Sequence, residues 1–389
     1  MRKIVIGLAA VLAIALAAFF TLAPGIVESG MNKVVATPLP AISPRARALH
    51  ARLAVADLHG DTLLWSRDLL ERSDRGQVDL PRLRAGNVAL QVFSSVTKTP
   101  KGQNYDANSA DSDNITLLAF AQLQPIRTWN SLLERSLWHA EKLNRAASKS
   151  GGGLVVIRSA GDLDRLLADR ARNTRRVGGV LSIEGLQNLE GDLANLDRLH
   201  AAGFRMAGFA HFFDNEVAGS MHGEAKRGLT PLGRQVLAQM ESLGMIVDIA
   251  HASHAAVAEI LARATRPVVS SHGGVQATCQ VNRNLTDAEI RGVARTGGVI
   301  GIGYWEGAIC STSPQAVAAA IAHVRDLVGI DHVGLGSDFD GAVTTGFDTS
   351  QLAVVTQALI DRGFSDAEVA KVMGGNVLRV LRAGMVPRP

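Results

Sequence analysis

With 389 residues, 47% of them hydrophobic and 20% charged, the chain can bury a large core, as one large α/β domain or two smaller ones. A formal net charge of +4 is modest for that length, and the densest basic run, residues 165–176, holds an acid and no interleaved aromatics. It reads as a solvated helix face, which argues against a nucleic-acid partner, and two cysteines without C-x-x-C spacing, Cys279 and Cys310, indicate no cysteine-held metal.

Arg2 and Lys3 precede an uncharged, mostly apolar run over residues 4–27. The run is long enough to cross a bilayer and longer than most signal-peptide cores. Ala15-Leu16-Ala17 offers a cleavage site, so two readings stand: an uncleaved anchor, which is preferred, and a cleaved secretory signal. In both, the positive end stays in the cytoplasm and the remainder is exported. The protein is then anchored to the cytoplasmic membrane facing outward or, after cleavage, secreted or periplasmic. Residues 1–29 form this segment, standing outside the fold. Residues 30–44, punctuated by Pro, Thr and Ser, form a linker, and residues 45–385 form the folded domain. An oxidising compartment permits a Cys279–Cys310 disulfide, although the sequence leaves their pairing open.

From residue 55 onward, apolar β-branched runs alternate with amphipathic helical stretches, the pattern of a parallel α/β sheet. Strand candidates cover residues 55–58, 88–94, 154–157, 179–183, 205–210, 245–250, 267–271, 298–302 and 332–336. Helical stretches between them include residues 115–123, 131–147, 193–202, 232–243, 255–264 and 314–328. The candidates are one more than a (β/α)8 barrel uses, and residues 154–157 are expected to be the accessory strand. No Gly-x-Gly-x-x-Gly fingerprint appears, so the doubly wound alternative lacks its phosphate-binding turn. Residues 97–114 form a polar loop, either a cover over a site or a mobile insertion. Near the C-terminus, Ser365 and Glu368 make a capping box ahead of Val369, Val372 and Met373. Gly374-Gly375-Asn376 interrupts that helix before residues 377–381.

Polar residues close the apolar runs, at the carboxyl ends of strands where barrel enzymes place their chemistry. In residues 55–61, Val-Ala-Asp-Leu-His-Gly-Asp, His59 and Asp61 share one face of an extended chain, roughly 6.5 Å apart along it. An imidazole and a carboxylate converging there suit zinc or another borderline divalent metal. Glu184 ends Gly-Val-Leu-Ser-Ile-Glu-Gly, where a buried carboxylate needs a cation or strong donors beside it. His251 ends Val-Asp-Ile-Ala-His, and His272 ends Val-Val-Ser-Ser-His. Singly, each reads as a packed histidine; together, the three imidazoles and two carboxylates predict metal. Five ligands exceed a closed tetrahedral site, so two metals sharing Glu184 are expected. His211, Arg283 and Asp338 are further strand-end or loop candidates. Taken alone, Arg283 reads as a surface cation and Asp338 as a turn former.

The ordered pieces Asp57-Leu-His-Gly-Asp61, Ser182-Ile-Glu-Gly185, His211, Asp248-Ile-Ala-His251, Ser270-Ser-His272, Arg283-Asn284, Gly336-Ser-Asp-Phe-Asp-Gly341 and Gly374-Gly-Asn-Val-Leu-Arg-Val380 carry a resemblance. Across residues 45–381 the chain resembles the membrane (renal) dipeptidases of the metal-dependent amidohydrolase superfamily. The resemblance implies a (β/α)8 barrel with a dinuclear site at the carboxyl ends of its strands. It implies two zincs per chain, one held by His59 and Asp61 and the other by His251 and His272, with Glu184 bridging. It also implies hydrolysis of a dipeptide by a metal-bridging hydroxide, with Asp338 moving the proton, His211 at the scissile carbonyl and Arg283 on the substrate carboxylate. L,D-dipeptides and dehydrodipeptides fall within the implied substrates; a homodimer is possible, and the sequence leaves the oligomeric state open.

Residues 212–216 and 219–223 depart from the vertebrate pattern and resemble a variant found among bacterial relatives, which leaves side-chain preference open. His222 and His254 lie outside the matched positions and are read as non-ligands. Two rival readings stand beside this one: an amidohydrolase of another bond, such as a lactone, cyclic amide or phosphoester, and an inactive membrane-tethered binding module. Some members of the superfamily bridge their metals with a carboxylated lysine where Glu184 stands, which favours the dipeptidase branch. The retained Asp338 argues against an inactive module.

Overall fold

Runs such as Val88–Phe93 and Val177–Glu184 are buried at every position, which a parallel sheet requires because helices cover it on both faces. A computed structural model of the protein describes residues 2–35, 38–172 and 175–386. Ala36 and Thr37 of the expected linker, and Asn173 and Thr174 of the basic run, lie outside the described residues. The strands are β1 (Val55–Asp57), β2 (Val88–Phe93), β3 (Leu154–Val156), β4 (Val177–Glu184), β5 (Phe204–Gly208), β6 (Ile246–Asp248), β7 (Val268–Ser270), β8 (Val299–Ile302) and β9 (Val333–Leu335).

All ladders are parallel, in the order β2-β1-β9-β8-β7-β6-β5-β4, and β2 pairs β4 from Leu90–Gly178 to Phe93–Leu181 to close an eight-stranded barrel. Among the described residues β3 pairs only with β4 and stays outside the ring, as its expected accessory role requires. Outer helices carry side-chain caps at their starts. Ser131, Thr230, Ser253, Thr286 and Ser313 each accept the backbone N–H three residues on, which fixes where each strand-end loop stops. Helices Ala160–Arg170, Asp287–Arg295 and Ala353–Asp361 add to those expected. The basic run behaves as a solvated face in part: Arg165 and Arg172 are exposed and paired to Asp162 and Asp169, while Arg170 turns inward to Asn87 and the Val88 carbonyl.

The end of the chain seals the barrel's amino-terminal side. Ser365 and Glu368 form the expected capping box. Helix Asn376–Gly384 then sends Arg379 to the Gly297 carbonyl, just ahead of β8. Gly374 lies against the start of β1, where any Cβ would stand 2.0 Å from the Ala54 carbonyl oxygen.

At the other end of the molecule, the long helix Arg2–Met31 is apolar enough to cross a membrane by length and composition. Its residues 2–19 are exposed, but the end of it is docked on the barrel. Pro24 and Glu28 are buried, and Glu28 accepts from Arg67 and Arg75. Arg67 reaches on to Asp340, Asn32 accepts from the Ala342 N–H at 2.8 Å, and Val34 bridges Thr345. The sequence reading sets this segment apart from the fold, yet its last turns are tied to the loop after β9. An unbroken apolar run hides which face of a helix is packed, and only Glu28 hints at the docked end.

Candidate active site and metal centre

The strand ends are pinned before they bear any chemistry. Asp57, the last residue of β1, accepts the backbone N–H of His59 at 3.0 Å and of Ser337, beyond β9, at 3.1 Å. Asp248, the last residue of β6, does the same for Ala250 at 3.0 Å and for Ser271, beyond β7, at 2.9 Å. Each carboxylate ties its own loop to the neighbouring strand's exit, and so aims His59 on one side and His251 and His272 on the other. The ladder also stops there, which is why β6 is shorter than residues 245–250. His251 and Asp338 both adopt positive φ, 63° and 60°, a conformation that costs non-glycine residues and persists where the surroundings over-determine it.

The structure brings together all eight side chains singled out in the sequence, and all are buried. His251 Nε2, His272 Nε2 and Glu184 Oε1 form a triangle with sides of 2.9, 2.9 and 3.2 Å. His59 Nε2 lies 3.5 Å from Asp61, 3.6 Å from Glu184 and 3.9 Å from Asp338. His211, expected at the substrate, stands 3.6 Å from Glu184, as near as His59. Arg283 donates to the His272 carbonyl at 3.0 Å and lies 3.5 Å from His251. His222 and His254 join no such triplet among the described residues; His222 stacks on Phe212 and bonds the Tyr105 carbonyl, and His254 pairs with Glu289.

The donor set fits metal. Atoms that share an ion at about 2.0–2.2 Å stand about 3–3.5 Å apart, the spacing of the triangle. His59 Nε2, Asp61 Oδ1 and Glu184 Oε2 are buried with no hydrogen-bond partner among the described residues, which costs free energy unless a cation serves as the partner. Three overlapping triplets, His59-Glu184-His272, Glu184-His211-His251 and His59-Asp61-Asp338, each bring their ligand atoms within 4.8 Å.

Charge tells the same story. Burial, then the Asp61 carboxylate, pushes Glu184 well above the usual carboxylate range. Burial likewise raises Asp338, to about 8. Burial opposes a charged His59, but Glu184 and Asp61 outweigh it and bring its pKa up to about 10. Burial, followed by Arg283 for His251 and by His59 for His272, holds both well below their ordinary value and so in the neutral form that ligates metal. The raised values of Glu184, Asp338 and His59 all reflect buried carboxylates crowded together, which an added cation would relieve.

Above this floor lies a cavity of about 590 Å³. Its walls include Trp65, Tyr105, Phe212 and Trp305, and also Val27 and Met31 from the end of the N-terminal helix. The loop over residues 97–114 supplies Thr99, Gln103, Tyr105 and Asn114, so it covers the site. Trp305 donates to the Tyr105 hydroxyl at 3.0 Å, and the Arg283 guanidinium lies 5.8 Å from the Trp305 ring centre. Cys279 and Cys310 are disulfide-bonded, joining the loop of Arg283 to the loop of Trp305; closing such a loop is worth about 3–4 kcal/mol in the chain-entropy view. Gly273, at φ 148°, leaves room for Arg283, which a Cβ would meet at 3.0 Å.

Sequence reasoning missed Tyr105, Trp305 and the helix residues Val27 and Met31. Tyr105 had a signal, as one of two tyrosines in the chain and inside the suspected cover. Asp340, two residues beyond Asp338, is engaged by Thr62, Gln77 and Arg67.

The family model described as membrane dipeptidase (peptidase family M19) matches residues 43–386. A dipeptidase of Aspergillus oryzae, aclJ, is 31% identical over 360 residues, covering 87% of this chain and 80% of that protein. Dipeptidase 3 of Mus musculus is 26% identical over 88% of this chain and 67% of its own length. Among solved structures, the M19 metallopeptidase dipeptidase AC superposes with a TM-score of 0.68 at 25% identity, over 86% of this chain and 99% of its own. A metallopeptidase of Rhodobacter sphaeroides, liganded with a phosphinate mimic of the dipeptide L-Ala-D-Ala, shares the fold with a TM-score of 0.67 at 24% identity, over 85% of this chain and 99% of its own.

Proposed function

The chain belongs to the membrane dipeptidase family and is a metal-dependent dipeptidase; from that premise we propose how its residues divide the work. Two zincs per chain would be held by His59 and Asp61 on one side and by His251 and His272 on the other, with Glu184 available to both. The observation that carries this is the 2.9–3.2 Å triangle of His251, His272 and Glu184, beside a His59–Asp61 pair whose facing atoms lack partners. When bound, the metals polarise the substrate carbonyl and bring the pKa of a water they hold towards about 7.

Asp338 takes a proton on its carboxylate from the attacking water and returns it to the leaving nitrogen. His211, neutral because burial lowers its pKa to about 4, presents Nε2 to the scissile carbonyl oxygen. Arg283 grips the substrate's free carboxylate, and Tyr105 and Trp305 close that end of the cavity. Substrates include L,D-dipeptides and dehydrodipeptides. The helix Arg2–Met31 anchors residues 45–385, the catalytic barrel, to the cytoplasmic membrane on its outer side.

The test is a panel of free dipeptides, L,D pairs and dehydrodipeptides, with metal analysis of the same preparation. Close to two zincs per chain and loss of turnover to chelators are expected. Full activity after metal removal, or faster hydrolysis of lactones or phosphoesters than of any dipeptide, would overturn the reading.

A further inference from the structure

The first turns of helix Arg2–Met31, residues 2–19, are exposed among the described residues. At 1.5 Å per residue they span about 27 Å, close to the roughly 30 Å of a bilayer's hydrocarbon core. At the next residue the Phe20 and Phe120 rings meet edge-on at 5.3 Å. If the free length crosses the membrane, Phe20 and Phe120 stand at its surface.

An exposed apolar patch surrounds that point. Leu117, Leu123 and Ile126 are 65%, 65% and 76% exposed, and Phe120 is 38% exposed even with the helix beside it. No charged residue occurs from Asn114 to Ile126. Arg127, next in the chain, is paired with Glu134 and Glu141. Such a patch on a protein exposed to water marks a contact surface, and this one continues directly from the membrane-length helix.

We propose that Leu117, Phe120, Leu123 and Ile126 seat the barrel on the lipid surface next to the anchor, with their side chains in the headgroup–acyl boundary. The proposal rests on the anchor reading above and goes beyond it, since a tether alone leaves the barrel free to tumble. Helix Asn114–Ala121 then has two working faces: Leu117 and Phe120 meet lipid, while Ile115 and Leu118 line the substrate cavity. Val27 and Met31 line that cavity from the anchor helix itself, about 10–16 Å along it from Phe20. The seat therefore holds the dipeptide cavity at the membrane surface in one orientation, open to small substrates released there.

Single cysteines at Ala9, Leu123, Ile126 and Ala383, each labelled with an environment-sensitive dye, test this in the full-length protein. Ala383 is exposed on the helix that seals the far end of the barrel. The proteins are placed in vesicles of phosphatidylethanolamine and phosphatidylglycerol carrying a nitroxide near either the headgroups or the bilayer centre, and dipeptide turnover confirms that each variant is folded. The expected result is loss of emission at residue 9 with the deep nitroxide, loss at residues 123 and 126 with the shallow one, and none at 383. Quenching at residue 9 without quenching at 123 and 126 would overturn the seat and leave the anchor standing. No quenching at residue 9 would remove the anchor reading and the proposal with it. Blue-shifted but unquenched dye at 123 and 126 would mean that a second copy or another protein covers the patch, which also overturns it.

Discussion

At the floor of the cavity the clustered imidazoles and carboxylates follow strand ends, whereas much of the rim comes from the end of the N-terminal helix and from the cover over residues 97–114. His59, Glu184, His251 and His272 owe their positions to β1, β4, β6 and β7, and the Asp57 and Asp248 carboxylates pin the backbone that follows. Val27 and Met31 share one helix end, while Tyr105, Ile115 and Trp305 come from three other places, and all present apolar surface. Floor residues are polar and buried, and a shift of one would leave a carboxylate or imidazole without its partner, at a cost of about 1–3 kcal/mol or more. Rim residues lose only contact area when they move. The floor should therefore set turnover, and the rim should set which dipeptide is bound.

The largest expected effect breaks the floor at its shared residue. Glu184→Ala removes the carboxylate that lies within 3.6 Å of His59, His251 and His272 alike, so metal content should fall at both positions, whereas His59→Ala should deplete mainly one. Losing the Lewis acid costs several kcal/mol, about a thousandfold or more in kcat. Elemental analysis alongside kinetics checks it, and full metal occupancy in Glu184→Ala would deny the bridge. Asp338→Asn is the next step down. It keeps the shape but cannot cycle a proton, so kcat should drop about 10²–10⁴-fold with metal retained. A near-normal kcat would move proton transfer to another group.

Arg283 stands between the two regions, on a rim loop but within 3.5 Å of His251. A guanidinium grips a carboxylate through two parallel hydrogen bonds, which an amide cannot reproduce. Arg283→Met should lower kcat/KM for a free dipeptide by at least about 30-fold, from a loss of about 2–5 kcal/mol. Turnover of the C-terminally amidated dipeptide, already poor, should barely change. Equal losses on acid and amide would show that Arg283 does not hold the carboxylate and would detach dipeptide length from this residue.

Legibility in the sequence follows the same division. His59, Glu184, His251 and His272 could be read because each ends an apolar run, and the pleat of a strand dictates where a terminal polar residue points. β3 could be set aside because a barrel of this kind closes with eight strands. The Asp57 and Asp248 clamps were visible only as motif letters, since their partners Ser337 and Ser271 lie on neighbouring strands. The closing β2–β4 ladder, the Tyr105–Trp305 contact and the Cys279–Cys310 bond join residues 31 to 200 positions apart, and no local pattern encodes such pairs. Docking of the N-terminal helix was hidden for a different reason: a segment apolar on all sides carries no periodicity to betray its packed face.

The smallest expected effect tests the rim through that helix. Met31 is 48% exposed and lines the cavity, so a bound dipeptide with a large apolar side chain would cover part of what water now reaches. Truncation in Met31→Ala removes about three heavy atoms of contact, and at about 0.8 kcal/mol per fully buried methylene a half-buried chain forfeits about 1 kcal/mol. KM for a leucine-containing dipeptide should rise about fivefold, kcat should hold, and glycylglycine, which has no side chain to contact, should be unaffected. The contrast between the two substrates separates lost contact from general damage. The opposite outcome is equally readable. Glu28 pairs with Arg67, Arg67 with Asp340, and Asn32 with Ala342, so the same helix end is also tied to the loop that carries Asp338. If Met31→Ala lowers kcat on both substrates and leaves KM alone, the helix acts through that loop on the floor, and the separation of rim from floor fails at this point.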